Sequence, residues 1–161
     1  MRAAILIGGR GSRVGGDKAN VDLGGRPMVE WVEDAARAAG LEPVRVGDRA
    51  GDVTHPLAGV IAALERFDET VVVLACDVPF VDPALLRALV NAPPGAAMVE
   101  GNPLVARYDP THLRHFRAAL LQEAPLRATV AALDPFVVPG HVGNVNSPED
   151  LARARERAAS R

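Results

Sequence analysis

The sequence predicts an α/β domain: a mainly parallel sheet with helices on both faces. Three features carry that reading. Strand-like and helix-like stretches alternate along all 161 residues with no linker or internal repeat, the pattern of a single domain spanning 1–161. The run Thr70–Ala75 (Thr-Val-Val-Val-Leu-Ala) is continuously apolar and β-branched, as strands covered on both faces tend to be. Helix starts and stops are marked by proline, capping residues and glycine.

Taken in order, Arg2–Ile7 is a short apolar run that stops at Gly8-Gly9, a buried first strand. Residues 8–18 form a glycine-rich polar loop. Pro27 opens a helix over 27–39, closed by Gly40, and Pro43–Val46 is a second strand. A helix over 56–66 has Pro56 in its first turn, and the strand Thr70–Ala75 follows. Pro83–Asn91 reads as helix, Ala96–Glu100 and Leu104–Arg107 as short strands, and Pro110–Glu123 as one helix. A helical piece over 126–133 precedes a strand at Phe136–Val138. Ser147-Pro148-Glu149-Asp150 starts the last helix, with Ser147 as N-cap and Asp150 three residues on. In such sheets ligands bind beyond the carboxyl ends of the strands, so residues 8–18 and Cys76-Asp77 are expected to share one edge.

Composition narrows the function classes. Hydrophobic residues make up 48% and charged residues 24%, which excludes disorder. A net charge of −2 argues against a nucleic-acid surface or a polybasic membrane patch. No apolar run reaches spanning length, and Ala3–Ile7 is too short for a signal peptide, so a cytoplasmic location is expected. One cysteine makes neither an internal disulfide nor a thiolate metal cage. Of 18 basic residues, 17 are arginine, and the one lysine is Lys18. A chain that writes arginine almost everywhere yet keeps one lysine points to a role for a compact ammonium.

Three constellations can carry chemistry. Between Gly8 and Lys18 five of eleven residues are glycine, which lets backbone N–H groups turn toward an anion, while Arg13 and Lys18 add two cations. The spacing is neither a Walker A motif nor a dinucleotide fingerprint. In Cys76-Asp77-Val78-Pro79 an acid directly follows a buried strand, placed either to hold Mg²⁺ against phosphate oxygens or to bond its own turn. Asn144 and Asn146 alternate, so extended backbone projects them to one face, toward a polar substrate or into the turn before Ser147. The histidines 55, 112, 115 and 141 lack zinc-ligand spacing. Cys76 reads as a small packed hydrophobe, and Trp31 and Tyr108 as core or groove lining.

With these residues in view, Leu6-x-Gly-Gly-x-x-x-Arg-x-Gly-x-Asp-Lys18 followed by Leu23-Gly-Gly-Arg-Pro27 resembles the opening signature of the small nucleotidyltransferases. His55-Pro-Leu-Ala-Gly59, Cys76-Asp-Val-Pro79 and Asn144-Val-Asn-Ser-Pro-Glu-Asp-Leu151 narrow the resemblance to the molybdenum cofactor guanylyltransferases (MobA) over nearly the whole chain. The resemblance implies a Rossmann-like three-layer sandwich of nucleotidyltransferase type that moves GMP from GTP to the terminal phosphate of molybdopterin and releases pyrophosphate. It implies that Leu6, Ile7, Gly8 and Gly9 meet the guanine nucleotide and that Lys18 and Arg13 contact its phosphates. It further implies that Asp77 carries Mg²⁺ beside the nucleotide and that Gly59, Asn144 and Asn146 face the pterin substrate. Other proteins of molybdenum cofactor biosynthesis are implied as partners.

This sequence departs from the family pattern in a short segment, Val46–His55, where Asp48 and Asp52 stand in for nucleotide-contacting positions. His55 replaces a glycine and Val14 a methionine of that pattern. The rival expectations are a transferase using CTP or another phosphate acceptor, and a nucleotide-binding regulatory module without turnover.

Overall fold

A computed structural model describes residues 1–8, 17–47 and 55–161. Its sheet is built from β1 (Arg2–Leu6), β4 (Glu42–Val46), β5 (Val71–Ala75), β6 (Ala97–Val99), β7 (Asn102–Tyr108) and β8 (Phe136–Val138). A separate two-stranded ribbon pairs β2 (Asp22–Leu23) with β3 (Arg26–Pro27). The helices are α1 (Met28–Ala38), α2 (Pro56–Phe67), α3 (Pro83–Asn91), α4 (Leu113–Leu121), α5 (Leu126–Ala131) and α6 (Pro148–Ala159).

The strand order is β4-β1-β5-β7-β6-β8. β1 is parallel to β4 and β5, β6 is parallel to β8, and β7 runs antiparallel to both of its neighbours. The sheet is therefore mainly parallel, as expected, with one reversed strand inserted. Side chains alternate across β5. Val72 and Leu74 join Val29 and Val32 of α1 and Leu86 and Leu89 of α3 on one face. Val71 and Val73 join Leu57 and Leu64 of α2, Phe116 of α4 and Val130 of α5 on the other. This is the three-layer α/β/α sandwich. All of β5 is buried, which explains why its sequence shows no polar alternation.

Local chemistry sets the element ends. Asp82 caps α3 by accepting from the Ala84 N–H, and Ser147 caps α6 by accepting from the Asp150 N–H at 3.1 Å. The helix expected to begin at Pro27 begins one residue later. Pro27 is extended and paired with Asp22, because Gly24 and Gly25, both at positive φ, fold the chain into the ribbon. The helix expected over Pro110–Glu123 is split. Residues Pro110–His112 form a tight 3₁₀ turn in which Asp109 and His112 cap each other's backbone, and α4 starts at Leu113. It ends before Glu123, which adopts a left-handed φ of 53°.

One buried cation orders the far side of the sheet. Arg107 of β7 is 4% exposed, and its guanidinium donates to the carbonyls of Leu89, Val90, Ala92, Pro93 and Gly95. It thereby satisfies the end of α3 and the turn leading to β6.

Chain direction places the functional edge. From β1 the chain passes through α1 to β4 on one side, then crosses through α2 to β5 on the other. β1 and β5 are parallel neighbours, so their carboxyl ends share one functional edge, with Leu6 in register with Ala75.

Candidate active site

Asp77 stands two residues beyond the end of β5, where the backbone leaves the sheet. Its carbonyl accepts from the Val145 N–H at 2.9 Å, tying the segment before α6 to the β5 edge. The residue is 8% exposed, so its carboxylate needs partners. It has two. Lys18 Nζ donates to Oδ2 at 2.8 Å, and Asn144 Nδ2 donates to Oδ1 at 2.9 Å.

Lys18 begins the 3₁₀ turn Lys18–Asn20, which packs under α1 through buried Ala19. Its ammonium also donates to Asn146 Oδ1 at 2.9 Å. Lys18, Asp77, Asn144 and Asn146 thus form one connected polar cluster. Alternation in Asn144-Val145-Asn146 explains how: Val145 is buried against Leu23, Met28 and Leu151, and the flanking asparagines turn the opposite way. The two amide side chains bond Asp77 and Lys18, not their local turn. That turn is held by Asp150, whose carboxylate accepts from the Asn146 N–H at 3.0 Å.

A cavity of about 610 Å³ opens beside the cluster, lined by Asp77, Asn144 and Asn146 together with Glu100, Arg127 and His141. Three lining residues from the β6–β7 turn and beyond were not singled out by sequence: Glu100, Asn102 and Arg127. Asn102 Nδ2 donates to Asn144 Oδ1 at 3.3 Å, and Arg127 Nη1 donates to the Gly101 carbonyl at 2.8 Å. The one available signal was Glu-Gly-Asn-Pro at 100–103, a turn between two apolar runs.

The remaining predicted residues fall into three groups. Ile7 extends the parallel ladder past β1 by donating its N–H to the Val46 carbonyl at 3.1 Å, and Gly8 is exposed at the same edge. Gly59 lies in α2, where an added Cβ would sit 3.0 Å from Leu6 Cδ1. It allows α2 to approach the end of β1 closely. Gly9, Arg13, Asp48 and Asp52 lie outside the described residues.

His55 is the N-cap of α2, its Nδ1 accepting from the Leu57 N–H at 3.2 Å. A histidine where the family pattern has glycine therefore serves the helix start. Burial, then the neighbouring Asp77 charge, pushes the Cys76 thiol up to about 11, so it is a protonated packing residue at neutral pH. Among the described residues, no three of His, Cys, Asp and Glu group to hold a metal ion.

Comparison with known proteins agrees with this fold. A molybdenum cofactor guanylyltransferase from Pseudomonas putida is 36% identical over 178 residues, covering 91% of this chain and 93% of its own. One from Rhodobacter capsulatus is 32% identical over 182 residues, covering 95% and 94%. Among solved structures, molybdopterin-guanine dinucleotide biosynthesis protein A from Archaeoglobus fulgidus matches with a TM-score of 0.81 and 27% identity over 100% of both chains. Residues 3–136 match the family described as the MobA-like NTP transferase domain. Fold and sequence thus agree, and the chain belongs to the MobA-like NTP transferase family.

Proposed function

We propose that this protein transfers GMP from GTP to the terminal phosphate of molybdopterin, forming the guanine dinucleotide and releasing pyrophosphate. The observation that carries the reading is the Lys18 ammonium, bonded to both Asp77 and Asn146 beside the cavity beyond the end of β5. The curated relatives named molybdenum cofactor guanylyltransferase support the substrate pair.

An oxygen of the acceptor phosphate bonds to the α-phosphorus of GTP, and the bond from that phosphorus to the bridging oxygen breaks. Pyrophosphate leaves with the electron pair. The acceptor is already anionic, so no side chain has to remove a proton. That matches a site whose one thiol is held protonated. The protein contributes position and charge. Lys18 neutralises phosphate oxygens as charge builds on the leaving group. Asn144 and Asn146 offer amides toward the acceptor, and the cavity holds its bulk. Leu6, Ile7 and Gly8 present the β1 edge to the nucleotide, with Gly9, Arg13, Asp48 and Asp52 as further contacts, and Gly59 keeps α2 close beneath.

The residues present suit Mg²⁺. Asp77 is a single hard carboxylate lining the cavity, and this ion is commonly bound by one or two carboxylates plus substrate phosphates and water. Asp77 would hold it, and the ion would supply Lewis-acid stabilisation of phosphate charge.

Calorimetry with GTP, CTP, ATP and UTP in the presence of Mg²⁺, followed by turnover with molybdopterin, tests the reading. GTP is expected to bind best and to yield pyrophosphate. Preference for CTP would move the chain to cytidylyl transfer, and binding without pyrophosphate release with any acceptor would make it a regulatory module.

A further inference from the structure

A chain of hydrogen bonds runs from the backbone of β7 to the carboxylate of Asp77. The Leu104 N–H donates to Asn102 Oδ1 at 3.2 Å. Asn102 Nδ2 donates to Asn144 Oδ1 at 3.3 Å, and Asn144 Nδ2 donates to Asp77 Oδ1 at 2.9 Å. A backbone N–H can only donate, and an ionised carboxylate can only accept. With both ends fixed in polarity, neither amide can be flipped without setting oxygen against oxygen or N–H against N–H. The orientation of both asparagines follows from the ends of the chain.

We infer that Asn102 is a positioning residue of the transferase site: it fixes which face of the Asn144 amide meets Asp77, and so where the Asp77 carboxylate points. Asn102 sits at the start of β7, one residue past the Gly101 turn that Arg127 holds by its carbonyl. The same carboxylate takes the Lys18 ammonium on its other oxygen, so its rotation is held from two sides. Charged groups around the relay are Asp77, Lys18, Glu100 and Arg127. Without Asn102, Asn144 Oδ1 loses its described donor, and the amide can turn its oxygen toward Asp77. The aim of the carboxylate then depends on Lys18 alone.

The inference rests on the proposed transfer for its kinetic consequence, but the relay itself can be read without turnover. Asn102→Asp keeps size and keeps the acceptor for the Leu104 N–H, yet places a carboxylate oxygen against Asn144 Oδ1. The side-chain amide resonances of Asn144, assigned by their loss in Asn144→Ala, are expected to shift in this variant. Its kcat for GMP transfer is expected to fall about tenfold while the GTP KM stays within about threefold, the cost of one misdirected hydrogen bond at the reacting edge.

In an Asn144→Ala background the further change Asn102→Asp is expected to lower kcat by less than about twofold, because the relay is already cut. A general structural role would instead lower kcat equally in both backgrounds. Should Asn102→Asp fail to fold by melting, Asn102→Ser is measured in the same way; it keeps a short acceptor near Leu104 but cannot reach Asn144. Unmoved Asn144 resonances, an unchanged kcat, or an undiminished loss in the Asn144→Ala background each overturns the inference. If the unaltered chain transfers no GMP, the functional proposal fails, while the resonances still decide the relay.

Discussion

Lys18 and Asp77 are 59 positions apart in the chain, and the ammonium of one rests 2.8 Å from the carboxylate of the other. Their side chains are 21% and 12% exposed, so the pair is screened from water far more than an ordinary surface ion pair. Each is the other's main charge partner among the described residues. A phosphate entering the site has to compete with Asp77 for the lysine, and a cation has to compete with the lysine for Asp77.

Lys18→Ala is expected to lower transfer by about 10²-fold, or about 3 kcal/mol, because the lost charge acts mainly in the transition state. The chain stays folded but melts lower, since Asp77 keeps only Asn144. Lys18→Arg is also poor. A planar fork cannot place a compact charge between Asp77 Oδ2 and Asn146 Oδ1. Steady-state kinetics with melting curves on both variants check this, and near-normal turnover of the Arg variant would remove the argument from the lone lysine.

Asp77→Asn keeps an acceptor for Asn144 but removes the charge. Activity and most of the metal-dependent gain in nucleotide affinity are expected to disappear together, measured by calorimetry with and without Mg²⁺. An unchanged metal dependence would leave Asp77 with a purely structural role.

Gly140 precedes the site segment with φ +152°, and an added Cβ would lie 2.6 Å from Leu85 Cδ2. Gly140→Ala forces Leu85 or the backbone to move, at a cost of about 1–3 kcal/mol. Thermal melting is expected to show the loss, with Gly143→Ala, where a Cβ would meet nothing, close to the unaltered chain.

Asp150 gives the site an acid limit. The Asn146 N–H, with Ser147 and Arg153 beside it, holds its carboxyl below the ordinary range. The folded chain therefore binds fewer protons than the unfolded one in that range. The contribution is fully present above about pH 4 and is lost as pH falls through the lower folded value. Asp150→Asn should flatten that acid limb of the stability profile and speed exchange of the Asn146 amide at neutral pH.

Much of this site could be read from residue types alone. Lys18 stood out against 17 arginines, Asp77 by following the most apolar strand, and Asn144 and Asn146 by a spacing of two. Each signal is local. Asn102 gave no comparable sign, because its meaning lies in a contact with Asn144, 42 positions away. The reversal of β7 was equally hidden, since the pattern of a buried strand is the same in both directions. The β2–β3 ribbon did leave a mark at Gly24-Gly25, but two-residue strands carry no periodicity to match it. Pro110 looked like the start of a long helix, and only the mutual capping of Asp109 and His112 shows why the first turn is 3₁₀.

Cys76 carries the one sulfhydryl of the chain, buried immediately before Asp77. With its thiol pushed up to about 11, almost no thiolate exists at neutral pH, and an alkylating reagent reaches it only when the end of β5 parts from its neighbours. When reclosing outpaces the reagent, the labelling rate measures how often that wall of the site is open. The protein thus contains its own gauge of local breathing at the active edge. A nucleotide seated against Asp77 would slow the gauge without any dye, tag or engineered cysteine.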